Sequence, residues 1–493
     1  MLRENDPLHY AVVYARRSNN QYGLSQIAIR YAELGDFERA MRINESAKGE
    51  DWRTEAYGKI ALEYWKHGQR DKARELFLRV ASLPLPKDMI YIWGDVIEYM
   101  AEAQQFDLAL DIDNAMGAAG GTTAGHELAT IVEKFVEAKA QNPSLPDILP
   151  RVVSIARGLP ESSDSTFALK SVAVAYAARG QHDRAIKLIQ RFEDDYDRDD
   201  GAHRLAIEFA KRGWYDRALQ LANSGVYFRE IAHVGIATEA LKRQDKRKAL
   251  EIVVRTEALL AEVKEDEYYE PLETEVRLLS ELADLYSQLD RQHRAVEMAD
   301  LSFKTAKAMR KPGERYGALR IAVNGFCELG LYDKALEATK ALDDHHQFQF
   351  EAAAEVGAHA VRKGQLDAVD TIVKTIESTP LNGDEEPRVR ALVAIARAQA
   401  EQGRYGEAQT LLISTMPLVE KRERTQITPE TLKNLAVAFA EAGNIRAALQ
   451  QIPRIKAPIF ITEALIDIGT LCTKNKLTLD AHDLAAFNRV LEK

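Results

Sequence analysis

The sequence predicts an all-α protein, a right-handed superhelix (α-solenoid) of about thirteen antiparallel helix-turn-helix repeats. Three observations carry this. A short string, G-x-[FY]-x-x-A, returns along the chain. On both sides of it apolar residues recur at helical rather than strand spacing. The period of a few tens of residues is that of stacked helical hairpins, which share one continuous core.

The string reads GDFERA at 35–40, GLYDKA at 330–335 and GRYGEA at 403–408. Looser copies are GQRDKA at 68–73, GQHDRA at 180–185, GWYDRA at 213–218, GQLDAV at 364–369 and GNIRAA at 443–448. Taking each glycine as a turn mark defines a register. Before Gly35, residues Leu24, Ile27, Ala28 and Tyr31 form one helical stripe, and Ala40 follows the mark on the next helix. Glycine admits the left-handed turn that joins two antiparallel helices. Ala28 and Ala40 are small enough for the two backbones to approach closely, with Tyr31 and Phe37 filling space above and below.

The template recurs with Tyr57, Ile60, Ala61, Tyr64 and Ala73 around Gly68. Around Gly180 it recurs with Leu169, Val172, Ala173, Tyr176 and Ala185. Gln104, Gln244, Asp290 and Lys476 take the glycine's place elsewhere, followed by Ala109, Ala249, Ala295 and Ala481. Between marks 104 and 180 a degenerate unit fits, with helices at 127–140 and 146–159. A lone helix near 7–17 precedes the array.

These features resemble the tetratricopeptide repeat (TPR), and the resemblance covers nearly the whole chain. It rests on the apolar–Ala–aromatic–Gly–Ala register rather than on any single copy. Some steps between marks are longer than the family's unit, and the proline that ends the family's unit is irregular. Pentatricopeptide repeats have a similar length but bind RNA, which an acidic chain fits poorly.

Domain organisation follows the repeats. Residues 1–116 hold N-terminal TPR-like repeats with the leading helix, 117–160 a degenerate repeat that reads as a hinge, and 161–493 the C-terminal repeats of one continuous solenoid. The hinge reading comes from GAAGGTTAG at 117–125 and from Pro143, Pro146, Pro150 and Pro160. An acidic insert, 262–275, interrupts the array a second time. Pro417 falls late in a second helix and is expected to shorten or kink it.

Composition narrows the function. With 46% hydrophobic and 29% charged residues the chain can bury a core. A net charge of −10 argues against nucleic acid, which needs a basic footprint; the basic run at 242–249 reads as a solvated turn. MLRENDPLHY lacks the apolar run of a signal peptide, and no segment has the length and apolarity of a membrane helix. Cys327 and Cys472 stand far apart inside helical patterns, which suits a reducing compartment. The expectation is a cytoplasmic protein with no membrane and no nucleic-acid partner.

No motif carries catalytic chemistry. The glycine run is not closed by Lys-Ser/Thr as a phosphate cradle requires. DDHH at 343–346 lacks the i, i+4 histidine spacing of a helical metal site. Neither cysteine has a companion for a nucleophilic triad, so both read as small buried hydrophobes. Tyr31, Tyr64, Tyr176, Phe209, Tyr286, Phe326 and Phe439 lie in register and read as packing residues. The chain is therefore expected to have no enzymatic activity, no metal and no cofactor.

The resemblance implies that first helices line a concave groove. The family's carboxylate clamp pairs Lys with Asn one turn apart before the mark, repeated in neighbouring units. Here Arg320 and Asn324 alone approximate it. Three residues before the marks stand Ala32, Trp65, Ala101, Ala177, Ala210, Cys327, Val361, Ala400 and Ala440. They read either as an open apolar floor for a partner helix or as residues packed between neighbouring units. The candidate partner-binding residues are Trp65, Lys170, His203, Arg320, Asn324 and Lys433. The expected function is a protein–protein interaction scaffold holding a peptide or partner protein along the groove. The alternative is a regulatory solenoid that senses a peptide or small signal for a separate effector. The oligomeric state is left open.

Overall fold

A computed structural model describes residues 6–48, 50–83, 90–118, 124–159, 162–263, 272–342, 346–381, 384–420, 427–475, 477 and 479–491. Among these the chain runs α1 (Pro7–Arg17), α2 (Gln21–Glu33), α3 (Phe37–Ser46), α4 (Glu50–Lys66), α5 (Arg70–Ala81), α6 (Ile90–Glu102), α7 (Phe106–Ala118), α8 (Ala124–Gln141) and α9 (Leu149–Ala156). It continues through α10 (Ser162–Ala178), α11 (His182–Ile189), α12 (Asp195–Lys211), α13 (Tyr215–Ala222), α14 (Arg229–Lys242), α15 (Lys246–Val263), α16 (Glu273–Gln288), α17 (Gln292–Ala308) and α18 (Pro312–Glu328). The last elements are α19 (Tyr332–Thr339), α20 (His346–Arg362), α21 (Leu366–Ser378), α22 (Glu386–Glu401), α23 (Tyr405–Glu420), α24 (Pro429–Glu441), α25 (Ile445–Gln451), α26 (Pro458–Lys474) and α27 (Ala481–Leu491). No strand occurs among the described residues. The protein is all-α, built of antiparallel helical hairpins.

The turn marks hold the register. All eight marking glycines have φ between +71° and +81°. Gln104 (+57°), Gln244 (+65°) and Asp290 (+61°) adopt the same left-handed conformation without being glycine. At the first mark the Gly35 amide donates to the Ala32 carbonyl at 2.9 Å and the Asp36 amide to Tyr31 at 2.8 Å. This double bond satisfies carbonyls that the end of a helix leaves without partners. The second bond recurs from Gln181 to Tyr176, Leu331 to Phe326 and Asn444 to Phe439. Lys476 lies outside the described residues, yet the Leu477 amide donates to Cys472 at 2.9 Å in the same pattern.

Within each compact unit first helices pack on their own second helix and on the next first helix, as α2 does on α3 and α4, and α22 on α23 and α24. The alanines of the contact, Ala28 with Ala40 and Ala173 with Ala185, are wholly buried. The in-register aromatics are buried too. Phe37, expected to fill its own hairpin, instead stacks on Tyr64 of the following first helix at 4.0 Å between centroids. Phe106 meets Phe135 at 5.6 Å and His182 meets Phe209 at 5.3 Å in the same way. At these marks the ring two residues past the turn is therefore a plug between hairpins. The residues three before each mark are packed: Ala32, Ala101, Ala177, Ala210, Cys327, Val361, Ala400 and Ala440 are buried, and Trp65 is half-buried. That excludes an open alanine floor.

Two compact units divide the chain, Gln21–Ile252 on one hand and Met1–Asn20 with Val253–Lys493 on the other. The expected boundaries at 116 and 160 are not where the units part. The degenerate repeat forms α8 and α9, which pack on α10 within the first of these units. Residues 119–123 of the glycine run, most of the acidic insert and Asp343–His345 lie outside the described residues.

The leading helix belongs to the second unit. α1 packs on α26 and α27, where Tyr10 stacks on Phe487 at 4.7 Å. It obeys the register of a first helix: Asn19 is left-handed (φ +53°), and Leu8, Ala11, Val12 and Ala15 are buried. It thus covers the end hairpin as a further first helix would. Gly469 permits this approach, since a Cβ there would lie 2.9 Å from the Leu8 Cα. One expectation fails locally, and another in part. Ala481 is exposed because α27 begins late, with Asp480 accepting from the Asp483 amide at 2.8 Å; Phe487 and Val490 are buried instead. Pro417 does not end α23, which runs on to Glu420. The carbonyl its ring deprives of a partner belongs to Ile413, which is 59% exposed and open to water.

Gly180→Ala is expected to cost about 1–2 kcal/mol, because a Cβ there meets no atom and the left-handed backbone is the sole penalty. Gln244→Gly should stabilise by up to about 1 kcal/mol for the converse reason; urea denaturation of both variants reads the two signs. Gly469→Ala should lower hydrogen-exchange protection in α1 and α26 while leaving α20 and α22 unchanged. Unaltered protection of α1 would contradict its docking on Gly469.

Candidate functional site on the first-helix face

The cationic candidates do not project as free charges; acidic residues of the following first helix take three of them. Lys170 on α10 donates to Asp197 and Asp200 of α12, both at 2.8 Å. Arg320 on α18 pairs with Glu355 of α20, and Lys433 on α24 with Glu463 of α26 at 3.0 Å. Arg397 on α22 and Glu441 of α24 extend the pattern, with two contacts of 2.7 Å. A cation on one first helix and a carboxylate on the next therefore clip consecutive first helices together.

Burial separates these pairs. Lys170 is 7% exposed and Asp200 12%. Removing one partner of such a pair leaves an uncompensated charge and costs on the order of 3–5 kcal/mol. Arg320 and Glu355 are 40% and 37% exposed, and a pair in that setting contributes about 0–1 kcal/mol. Lys170 is thus a structural cation, while Arg320 can change partner at little cost.

Two candidates meet. His203 stands 3.7 Å from the Asp200 carboxylate that Lys170 holds, and its ring lies parallel to Phe228 at 5.6 Å. Arg204 reaches Asp200 at 3.1 Å. Burial alone would raise the Asp200 carboxyl, but His203, Lys170 and Arg204 together hold it well below the usual carboxylate range. Trp65 carries the Arg70 guanidinium over its ring at 4.8 Å. Lys433 lies 5.7 Å from the Phe460 ring. Asn324 is exposed, one turn from Arg320, and no described side chain hydrogen-bonds to its amide. Beside them Tyr316 packs on Phe348 at 3.9 Å. Both thiols are buried and pushed up to about 12, as small apolar residues would be.

One titratable group carries no signal in the sequence. Asp113 on α7 is fully buried, faces Glu127 of α8, and neither of its oxygens accepts a hydrogen bond. Burial, with the Glu127 charge behind it, raises its carboxyl to about 8. In sequence Asp113 is one acid in an amphipathic helix, and the second-helix template does not say which face it takes.

No protein-family profile and no curated protein matches the sequence. Solved structures do. The pentatricopeptide repeat protein PPR10, in complex with an 18-nt psaJ RNA element, is 14% identical over 87% of this chain and 58% of its own, with a TM-score of 0.32. A signal transduction ATPase with a tetratricopeptide repeat sensor, PH0952 from Pyrococcus horikoshii, is 15% identical over 77% of this chain and 54% of its own, TM-score 0.27. Naa15/Naa10 bound to HypK-THB is 14% identical over 88% and 68%, TM-score 0.26. The chain spans little more than half the length of the first two. By its own hairpin geometry it is a TPR-like helical-repeat protein.

The exclusion of nucleic acid as a partner is corrected here. PPR10, a helical-repeat chain among these similar structures, is seen bound to RNA. A net charge of −10 sums over the whole surface and does not set the field along one face. No described helix is long and apolar enough to cross a membrane.

Asp113 gives a pH dependence of definite sign. Its folded value of about 8 lies above the roughly 3.9 of an unfolded aspartate. The folded state therefore binds the extra proton between those values, so stability falls as pH rises across them and levels off beyond about 8. The urea midpoint should drop from about pH 5 to about pH 8, and Asp113→Asn should remove that component. An equal slope in the variant would contradict a protonated Asp113.

Proposed function

We propose that the chain is a non-catalytic scaffold that binds a peptide or partner protein on its first-helix face, with α18 and α20 as the primary contact. The observation that carries this is the pairing of Arg320 with Asn324. One side chain is held by an exposed ion pair of small worth, and the other is exposed one turn away. Together a guanidinium and an amide can hold a partner's carboxylate, from a chain terminus or an acidic side chain, through charge-assisted hydrogen bonds. Arg320 would exchange Glu355 for it. The Tyr316–Phe348 pair beside them supplies an apolar wall. Lys170 and Lys433 act here as clips between hairpins rather than as contacts, and His203 as part of the Lys170 network.

Co-purification from the native host identifies the partner. Arg320→Ala with Asn324→Ala is then expected to weaken that partner by about 1–3 kcal/mol, the scale of lost hydrogen bonds to a charged group, with helicity unchanged. Full affinity in a folded double variant would make this site structural. Recovery of RNA in place of protein would overturn the choice of partner.

A further inference from the structure

The ring that plugs the junctions at Phe37, Phe106, His182 and Tyr332 is absent at several marks, and at one of these a cavity opens. At the α21 junction Leu366 stands two residues past Gly364, where other units have Phe37, Phe106 or His182. Gln399 stands four residues before Gly403, where the register elsewhere places Tyr31, Tyr64 or Phe209. No ring bridges the two hairpins here, and a cavity of about 580 Å³ opens between α21 and α23. Leu366, Val369 and Leu411 form its apolar walls. Gln399 lines it at 7% exposure, and its amide oxygen accepts no hydrogen bond. A buried acceptor in that state is costly unless a donor reaches it.

Charge narrows what that donor can be. Asp370 and Glu377 line the cavity from α21, both exposed, and neither has an ion-pair partner among the described residues. Arg404, the one cation in the lining, closes on Glu407 at 3.0 Å. The comparable groove between α3 and α5 differs, because Arg42 and Lys72 there stand among Glu38 and Glu45. The α21–α23 groove thus presents an apolar slot, an unsatisfied acceptor inside it and two uncompensated carboxylates.

We infer that this groove docks an arginine side chain of a partner protein. A guanidinium is planar and fills the slot an aromatic ring leaves vacant. It offers several N–H donors, one for the Gln399 oxygen, while its charge compensates Asp370 and Glu377. Its methylene stem lies on Leu366, Val369 and Leu411. Lysine, a compact and strongly hydrated point charge, matches the slot less well. The site shares no lining residue with the carboxylate site at Arg320, so it is independent of that site.

The test uses the full chain and a fluorescein-labelled helical peptide of alanine and leucine with two arginines four residues apart. A twin carries citrulline, the uncharged isostere, at both positions. Anisotropy should show the arginine peptide binding at least about tenfold more tightly than its twin, a difference of about 1.4 kcal/mol. Gln399→Tyr, which restores the plug, should lower affinity for the arginine peptide by about tenfold or more with helicity retained. Gly406→Trp blocks the same groove from its rim, where a Cβ meets no atom, and covers the case in which the tyrosine does not fold. Asp370→Asn with Glu377→Gln should abolish the preference over citrulline, and Arg320→Ala with Asn324→Ala should leave it unchanged. No binding of the arginine peptide, equal binding of the two peptides, or full affinity in both blocked variants overturns the inference. So would single-stranded RNA binding that the same variants abolish.

Discussion

The left-handed residue that closes each first helix is the constraint on which the rest of the structure depends. At that residue the backbone reverses within two peptide units while both terminal carbonyls stay bonded, as from Gly35 to Ala32 and from Asp36 to Tyr31. The reversal sets the second helix antiparallel to the first at a fixed phase, and Ala28, Ala40, Ala173 and Ala185 are wholly buried. Gln104, Gln244 and Asp290 hold the same geometry at a backbone cost that glycine avoids. Packing over a whole hairpin outweighs a penalty of about 1–2 kcal/mol, so the turn survives loss of its glycine.

From that phase follow the two kinds of junction between hairpins. On the inside, an aromatic or imidazole ring just past the turn plugs against the next first helix. On the face, a cation of one first helix pairs with a carboxylate of the next. Phe37, Phe106 and Tyr332 are buried as plugs, whereas His182 is half-buried and Tyr405 is exposed. The ion pairs range from enclosed (Lys170 with Asp200) to open (Arg320 with Glu355), and that range divides structural cations from those able to meet a partner.

Distinct chemistry then sits where a rule of the repeat is broken. Gln399 and Leu366 break the plug and leave a cavity. Asn324 stands unbonded on a face whose neighbouring charges are paired. Asp113 breaks the rule that a buried carboxyl has a partner, and it resolves the conflict by keeping its proton near neutral pH. α1 departs in another way. It has the register of a first helix, and its apolar stripe covers α26 at the far end of the sequence.

The sequence by itself determined the helices, their turns and their buried alanine and aromatic positions, because each is set by neighbours a few residues away. Mark and stripe at 180, for instance, need no knowledge of anything beyond one hairpin. The carboxylate clamp and its poor match here were equally legible, being a matter of spacing on one helix. Tertiary structure alone decided what those helices meet. That Lys170 and His203 converge on Asp200, that the residues before each mark are packed, and that α1 lies on α26 depend on contacts between hairpins, which no local pattern encodes. Ala481 missed its place for the same reason: Asp480 starts α27 late, and the phase of the last helix follows that cap rather than the repeat. Gln399 was visible as a polar residue at an aromatic position, but only the packed neighbours show that nothing fills the space in its place.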